Sequence, residues 1–248
     1  LHCGNFTIQS ILVTRGGRAA AAKATGHPMQ RLPRRLLWLT VYAVAMAYLE
    51  SAVVVYLRAI YYPDGFAFPL VLLDSGMSAI EIGREAATLV MLLGVAMVMS
   101  DDRWERFLFF CLGFAVWDIF YYVWLWVFLD WPPSLLTWDI LFLIPVPWIG
   151  PVLAPLIISV ALIVGSLLLL RLRHRGIPLR FPAWSWGLAV AGGGIVLVSF
   201  MLDFRAVLAQ VAPPSFRWWL FALGVICGVI ALAGGVSRLS TGLATKPS

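Results

Sequence analysis

Charge is what this chain has least of. Asp, Glu, Lys and Arg together make up 12% of its 248 residues, and hydrophobic residues make up 62%. An ordinary soluble domain carries roughly 25% charged and 45–50% apolar residues, so the composition argues against a water-soluble fold. Histidine is also scarce. His2, His27 and His174 all fall in segments that the charge pattern described below places on the cytoplasmic side, which disfavours haem and histidine-ligated zinc, copper or di-iron sites within a bilayer. Of the three cysteines, Cys3 is in the N-terminal tail and Cys111 and Cys227 are inside apolar runs, so a disulfide framework is not expected. No phosphate loop, dinucleotide fingerprint, nucleophile elbow or paired-histidine metal motif is present. The net charge of +6 follows alternate loops and does not form a patch, so it indicates membrane topology and not nucleic acid.

The chain has instead repeated apolar stretches of about twenty residues, the length a helix needs to cross roughly 30 Å of hydrocarbon. The same pattern excludes a transmembrane β-barrel. Six spans are expected, forming an all-α polytopic helix bundle: about Leu36 to Leu57, Ala79 to Ser100, Phe107 to Leu129, Pro151 to Leu170, Trp184 to Phe204 and Trp218 to Val236. The third stops at Trp131-Pro132-Pro133, because consecutive prolines cannot continue a helix. Of the 18 Lys and Arg residues, fourteen lie in the N-terminal tail, the second and fourth loops and the C-terminus, against only Arg58, Arg205 and Arg217 in the alternate loops. That asymmetry predicts a multi-pass protein with both termini cytoplasmic. Trp124, Trp126, Trp131, Trp148, Trp218 and Trp219 then make an outer aromatic belt.

The organisation read from this pattern is a tail over residues 1–35, one transmembrane domain over 36–237 and a second cytoplasmic tail over 238–248. Met29 opens the basic lead-in Arg31, Arg34 and Arg35, so residues 1–28 are either upstream of the native start or a cytoplasmic tail. Two outer stretches do not fit a simple crossing. Phe66 to Leu73 is too short, and Ser134 to Gly150 carries Trp138, Asp139, Pro145, Pro147 and Trp148 on an apolar background. The second reads as a short re-entrant or interfacial helix, or else as a loop lying on the headgroups. Gly224 and Gly228 in the sixth span, with Gly192, Gly193 and Gly194 in the fifth, indicate close helix packing.

With the orientation set, the charged residues inside the spans gather in the outer half of the bilayer. Glu50 lies about 10 Å below the outer end of the first span, at 1.5 Å per residue. Glu81, Arg84, Glu85 and Thr88 are three and four residues apart and share one stripe of the second span. Asp118 and Tyr122 are likewise four apart in the third, with Tyr121 beside them, and Asp139 joins at the outer boundary. Of twelve carboxylates only Asp101, Asp102 and Glu105 fall on the cytoplasmic side. A charge near the bilayer centre costs about 2.5–3.5 kcal/mol on insertion scales, so Glu50, Glu85 and Asp118 are expected to face the bundle interior and find partners. Glu50, Glu81, Glu85 and Asp118, set against Arg84 and Arg58, outline one outward-facing polar pocket. A structural alternative has Arg84 simply pairing with Glu81 or Glu50 to hold the first two helices together. Against that, the acids outnumber the bases, and surplus negative charge is relieved by protons or by a bound cation. A cation held by carboxylates and phenols would be a hard one such as Mg, Ca or Mn.

The segments Tyr48-Leu49-Glu50-Ser51, Glu81 through Thr88, Trp117 through Tyr122, and Trp138 through Pro155 resemble those of uncharacterised bacterial multi-span membrane proteins. The resemblance covers roughly residues 36 to 170. It implies a bacterial inner-membrane setting and brings no activity or ligand with it. Three functions stand open: a periplasm-facing carboxylate-rich cavity that binds a cation, protons or a small polar ligand; an enzyme acting on a lipid or quinone at the outer leaflet, with a carboxylate as base and Tyr121 or Tyr122 as proton donor; and an assembly partner of another membrane protein.

Overall fold

The computed structural model describes residues 28–63, 65–66, 74–177, 179, 181–209, 211 and 215–244. Most of the expected N-terminal tail and of the short apolar stretch after Phe66 lie outside the described residues. The elements in chain order are α1 (Pro28–Tyr61), α2 (Ser75–Met99), α3 (Arg103–Leu129), β1 (Trp138–Phe142), β2 (Trp148–Pro151), α4 (Leu153–His174), α5 (Ala183–Met201), α6 (Phe204–Leu208) and α7 (Trp218–Ala244). By its contacts the chain divides into two compact units, residues 1–38 and residues 39–248. Of the first, residues 28–38 are helical.

Six helices are long and apolar enough to cross a membrane, so the chain is a multi-pass integral membrane protein built as an all-α bundle with one small sheet. Large apolar side chains on these helices point outwards, among them Val90, Val98, Val190, Ile226 and Val229. Water would reject such a surface, whereas hydrocarbon accepts it. Local chemistry sets the helix ends. The Asp74 carboxylate accepts the Gly76 and Met77 N–H groups at 2.9 and 3.0 Å, and Asp102 accepts that of Glu105 at 3.0 Å, each satisfying donors that the first turn leaves without partners. At the end of α3, Asp130 turns left-handed at φ 49°, and Trp131-Pro132-Pro133 follows.

Small residues let the helices approach. Ala43 and Ala47 of α1 pack with Met46, with Leu92 of α2 and with Trp117 of α3. A Cβ on Gly113 would come within 3.2 Å of the Leu39 side chain, so α3 packs closely against α1 there. α5 and α7 meet backbone to backbone. A Cβ at Gly192 would lie 2.7 Å from the Gly224 carbonyl oxygen, and one at Gly224 the same distance from that of Gly192. The glycine-based packing expected for the fifth and sixth spans is therefore present at this one crossing. Gly193, Gly194 and Gly228 have open space where their side chains would be.

The segment expected to form a short outer helix is strand instead. β1 and β2 pair antiparallel, with Trp138 opposite Pro151, Asp139 opposite Gly150, Ile140 opposite Ile149 and Phe142 opposite Trp148, and the register breaks between Ile140 and Phe142. Prolines at 145, 147 and 151 break any helix that starts after Pro133 and remove donors it would need. A hairpin satisfies the same backbone groups by cross-strand bonds. The Val152 N–H to Thr137 and Leu153 N–H to Leu135 bonds carry that pairing into the start of α4. The Gly150 backbone lies against the rings of Phe200 and Phe216, and Trp148 stacks on Phe200 at 6.5 Å. The hairpin is thus packed into the protein and does not float on it. Elsewhere α7 continues to Ala244, into what was expected to be a C-terminal tail.

Candidate functional site

The polar residues singled out in the sequence cluster near the hairpin, towards the C-terminal end of α1, the N-terminal half of α2 and the C-terminal half of α3. Their burial is deep for charged groups: Glu50 is 8%, Glu81 4%, Glu85 6%, Arg58 8% and Asp139 2% exposed. They form four small groups.

In the first group Arg84 is the hub. It pairs with Glu50 across the α1–α2 seam, and its Nη2 lies 2.8 Å and its Nε 2.9 Å from Glu81 Oε2, one turn back on its own helix. Thr88, a further turn along, puts its hydroxyl 3.1 Å from Glu50 Oε1. The three- and four-residue spacing of the α2 stripe produces this directly, since such residues share a helix face. Ser51, next to Glu50, lies 3.0 Å from the Tyr121 carbonyl oxygen, and the Trp124 indole N–H donates to the Val44 carbonyl at 3.1 Å. Hydroxyl and indole bonds of this sort tie α1 to α3 where apolar packing against lipid offers no driving force.

Glu85 faces a different partner. Its Oε2 accepts the Leu143 backbone N–H at 2.8 Å, so an α2 carboxylate holds the tip of the hairpin. Asp139 is the centre of the third group. Its Oδ1 lies 3.4 Å from Arg58 Nη2, and its Oδ2 accepts the Tyr122 hydroxyl at 3.2 Å, joining β1 to α1 and α3. Burial raises the Asp139 carboxyl to about 6, with Arg58, Tyr122 and the Ile140 N–H pulling the other way. The Arg58 guanidinium also lies over two rings, 3.8 Å from the centre of Trp131 and 4.3 Å from that of Phe66. The fourth group is Asp118 with α4, where its Oδ2 accepts the Ser159 hydroxyl at 2.8 Å. Tyr121 lies within electrostatic range of Arg58, Arg84, Glu50 and Asp139, and packs edge-on against Tyr122 at 5.0 Å.

The structure therefore brings Glu50, Glu81 and Arg84 together, and separately Tyr122 with Asp139. Glu85 and Asp118 reach uncharged partners of their own. By their hydrogen bonds and ion pairs these residues divide into four neighbouring groups. Among the described residues no three His, Cys, Asp or Glu side chains gather into a metal-holding set, so a hard cation would have to draw ligands from more than one group. His174 lies at the far end of the bundle, beside Glu105. Sequence reasoning missed Ser159, a lone hydroxyl in an apolar run, and treated Arg58 only as a counter-ion. Nothing in the sequence marks the Leu143 N–H. Compared with known protein families, curated proteins and solved structures, the chain matches none of them.

Proposed function

We propose that this chain is a proton-responsive membrane protein of the bacterial inner membrane, with both termini cytoplasmic, whose buried carboxylates take up and release protons from the periplasmic side. One observation carries the reading. Among the described residues, Glu50, Glu81, Glu85, Asp118 and Asp139 have only Arg58 and Arg84 as basic partners, so full ionisation leaves a charge of −3 in a region of low dielectric. Such a surplus is relieved by protons or by a cation. A divalent cation needs six or so oxygens converging on one point, whereas a proton needs a single carboxylate. Acids spread one or two to a group, bonded to an amide N–H or a hydroxyl, suit protons better than a metal or a small polar ligand.

The experiment is pH-difference infrared spectroscopy of the reconstituted chain, reading the carboxylic acid carbonyl band. Protonated carboxyls should appear and vanish across a neutral-to-acid titration, and Glu85→Gln and Asp118→Asn should each delete part of the signal. A spectrum with no titrating carboxyl band, or one unchanged in both variants, refutes the proposal. The other reading with a specific observation behind it is catalysis at the outer leaflet, since the Tyr122 hydroxyl and the Asp139 carboxylate already form a phenol–carboxylate pair. Turnover of a quinone or lipid that disappears in Tyr122→Phe would favour it.

A further inference from the structure

Arg58 is poorly accounted for by an ion pair alone. A guanidinium presents five N–H donors in a planar fork and keeps its charge at any ordinary pH. A pair with a carboxylate frequently uses two of them side by side, and its bonds are about 2.7–2.9 Å long. Here Asp139 meets a single hand at 3.4 Å, and Nη1 is buried without a hydrogen-bond partner among the described residues. Arg84, by contrast, is engaged by two acids. An orphaned donor on a buried cation calls for a water, an ion or a ligand group. The aromatic walls sharpen this. Trp131 and Phe66, with their rings at right angles, both lie against the guanidinium and offer its N–H groups no hydrogen-bond acceptor.

The place matters as well. Arg58 is three residues from the end of α1, and Trp131 is two beyond the end of α3. Residues at helix ends beside tryptophan sit at the depth of lipid headgroups. We propose that Arg58 is the anion-binding residue of a subsite walled by Phe66 and Trp131 that takes one phosphate-class oxyanion, and that Asp139 accepts a proton as the oxyanion enters.

The charges around the pair require that coupling. Arg58 comes from α1, Tyr122, Tyr121 and Asp118 from α3, and Asp139 from β1, while Glu85 of α2 holds the hairpin at Leu143. With Asp139 ionised, Arg58 is already neutralised, and an incoming anion meets a second negative charge beside it. With Asp139 protonated, Nη2 is released beside the orphaned Nη1, and both hands face the oxyanion. The carboxyl at about 6 puts this exchange within reach of mild acid. The inference rests on the proton reading at Asp139 alone.

The test uses the full chain in phosphatidylcholine nanodiscs, titrated calorimetrically with dimethyl phosphate, whose single charge does not change over the range used. In a parallel arm, phosphatidylglycerol is added to the nanodiscs and lipid retention is read by native mass spectrometry. A response to dimethyl phosphate identifies a free anion; retention of phosphatidylglycerol without that response identifies a lipid headgroup. In whichever arm binds, affinity should fall about tenfold per pH unit above about pH 6, hence about a hundredfold by about pH 8. Arg58→Lys, which keeps the charge and loses the fork, should weaken binding about tenfold or more, with its melting temperature checked alongside. Asp139→Asn should bind equally at both pH values. Binding in neither arm, binding indifferent to Arg58→Lys, or a pH slope that survives Asp139→Asn overturns the proposal. If neither probe binds while the infrared carboxyl band still titrates, the anion subsite falls and the proton reading stands.

Discussion

Consider Asp139→Asn followed across pH by thermal unfolding in detergent. Asp139 is 2% exposed, and its carboxyl rises from the usual 3.8 to about 6 on folding, chiefly through burial. At 1.36 kcal/mol per pH unit, that difference corresponds to about 3 kcal/mol. The sign follows from proton counting. Between these two values the folded chain holds a proton that the unfolded chain has lost, so stability decreases as pH rises. The contribution is fully present below about 4 and is lost as pH passes 6. Asparagine keeps an oxygen for the Tyr122 hydroxyl and carries no charge at any pH. The parent should therefore lose about 3 kcal/mol relative to Asp139→Asn between about pH 4 and about pH 7, or roughly 6–12 °C of melting temperature for a chain of this size. Taking the difference between the two proteins cancels the titration of every other group that the substitution leaves undisturbed. Parallel melting curves, or a parent that gains on the variant as pH rises, would refute the assignment of Asp139 as a buried acid whose charge the fold only partly compensates.

Two further outcomes concern packing and pairing. Arg84→Met strands Glu50 and Glu81 inside the bundle and should cost about 3–5 kcal/mol, while adding Glu50→Gln should recover at least about 1 kcal/mol as non-additivity. Unfolding titrations that give a cost below about 1 kcal/mol would show that the α1–α2 seam does not depend on this pair. Gly192→Ala should cost about 1–3 kcal/mol by forcing α5 off α7. Its neighbour Gly193→Ala, with open space at the same atom, should be neutral or stabilising by up to about 1 kcal/mol; equal melting temperatures for the two variants would contradict the close crossing.

The helices were legible because each is a single apolar run whose length matches the bilayer, and neither propensity nor long-range pairing had to be weighed. The Glu81, Arg84 and Thr88 stripe was legible for a related reason, since three- and four-residue spacing on one helix fixes which side chains share a face. Convergence between helices was not legible. Glu85 lies on the same stripe, yet its partner is a backbone N–H at Leu143, which no residue type announces. Asp118 crosses to Ser159 because of how α3 and α4 rotate against each other, and that rotation is a property of the packed bundle. The hairpin escaped because short apolar runs between prolines fit a strand, a broken helix or a surface loop equally well. Only its seating against Phe200 and Phe216 decides among them.

That seating bears on the order in which the protein matures during synthesis. The ribosome delivers Glu50, Glu81, Glu85 and Asp118 to the membrane first, whereas the rings that support Gly150 belong to α5 and to the segment leading into α7. Until those late residues arrive, the hairpin has only its contacts with α1, α3 and α4, and Leu143 and Asp139 are expected to meet Glu85 and Tyr122 less firmly. A chain truncated after α4 would keep Arg84 with Glu50 and Glu81 and Ser159 with Asp118 but would lack the rings behind the hairpin, so the contacts of Glu85 and Asp139 are expected to be completed last, by the part of the chain that contributes no acid to them.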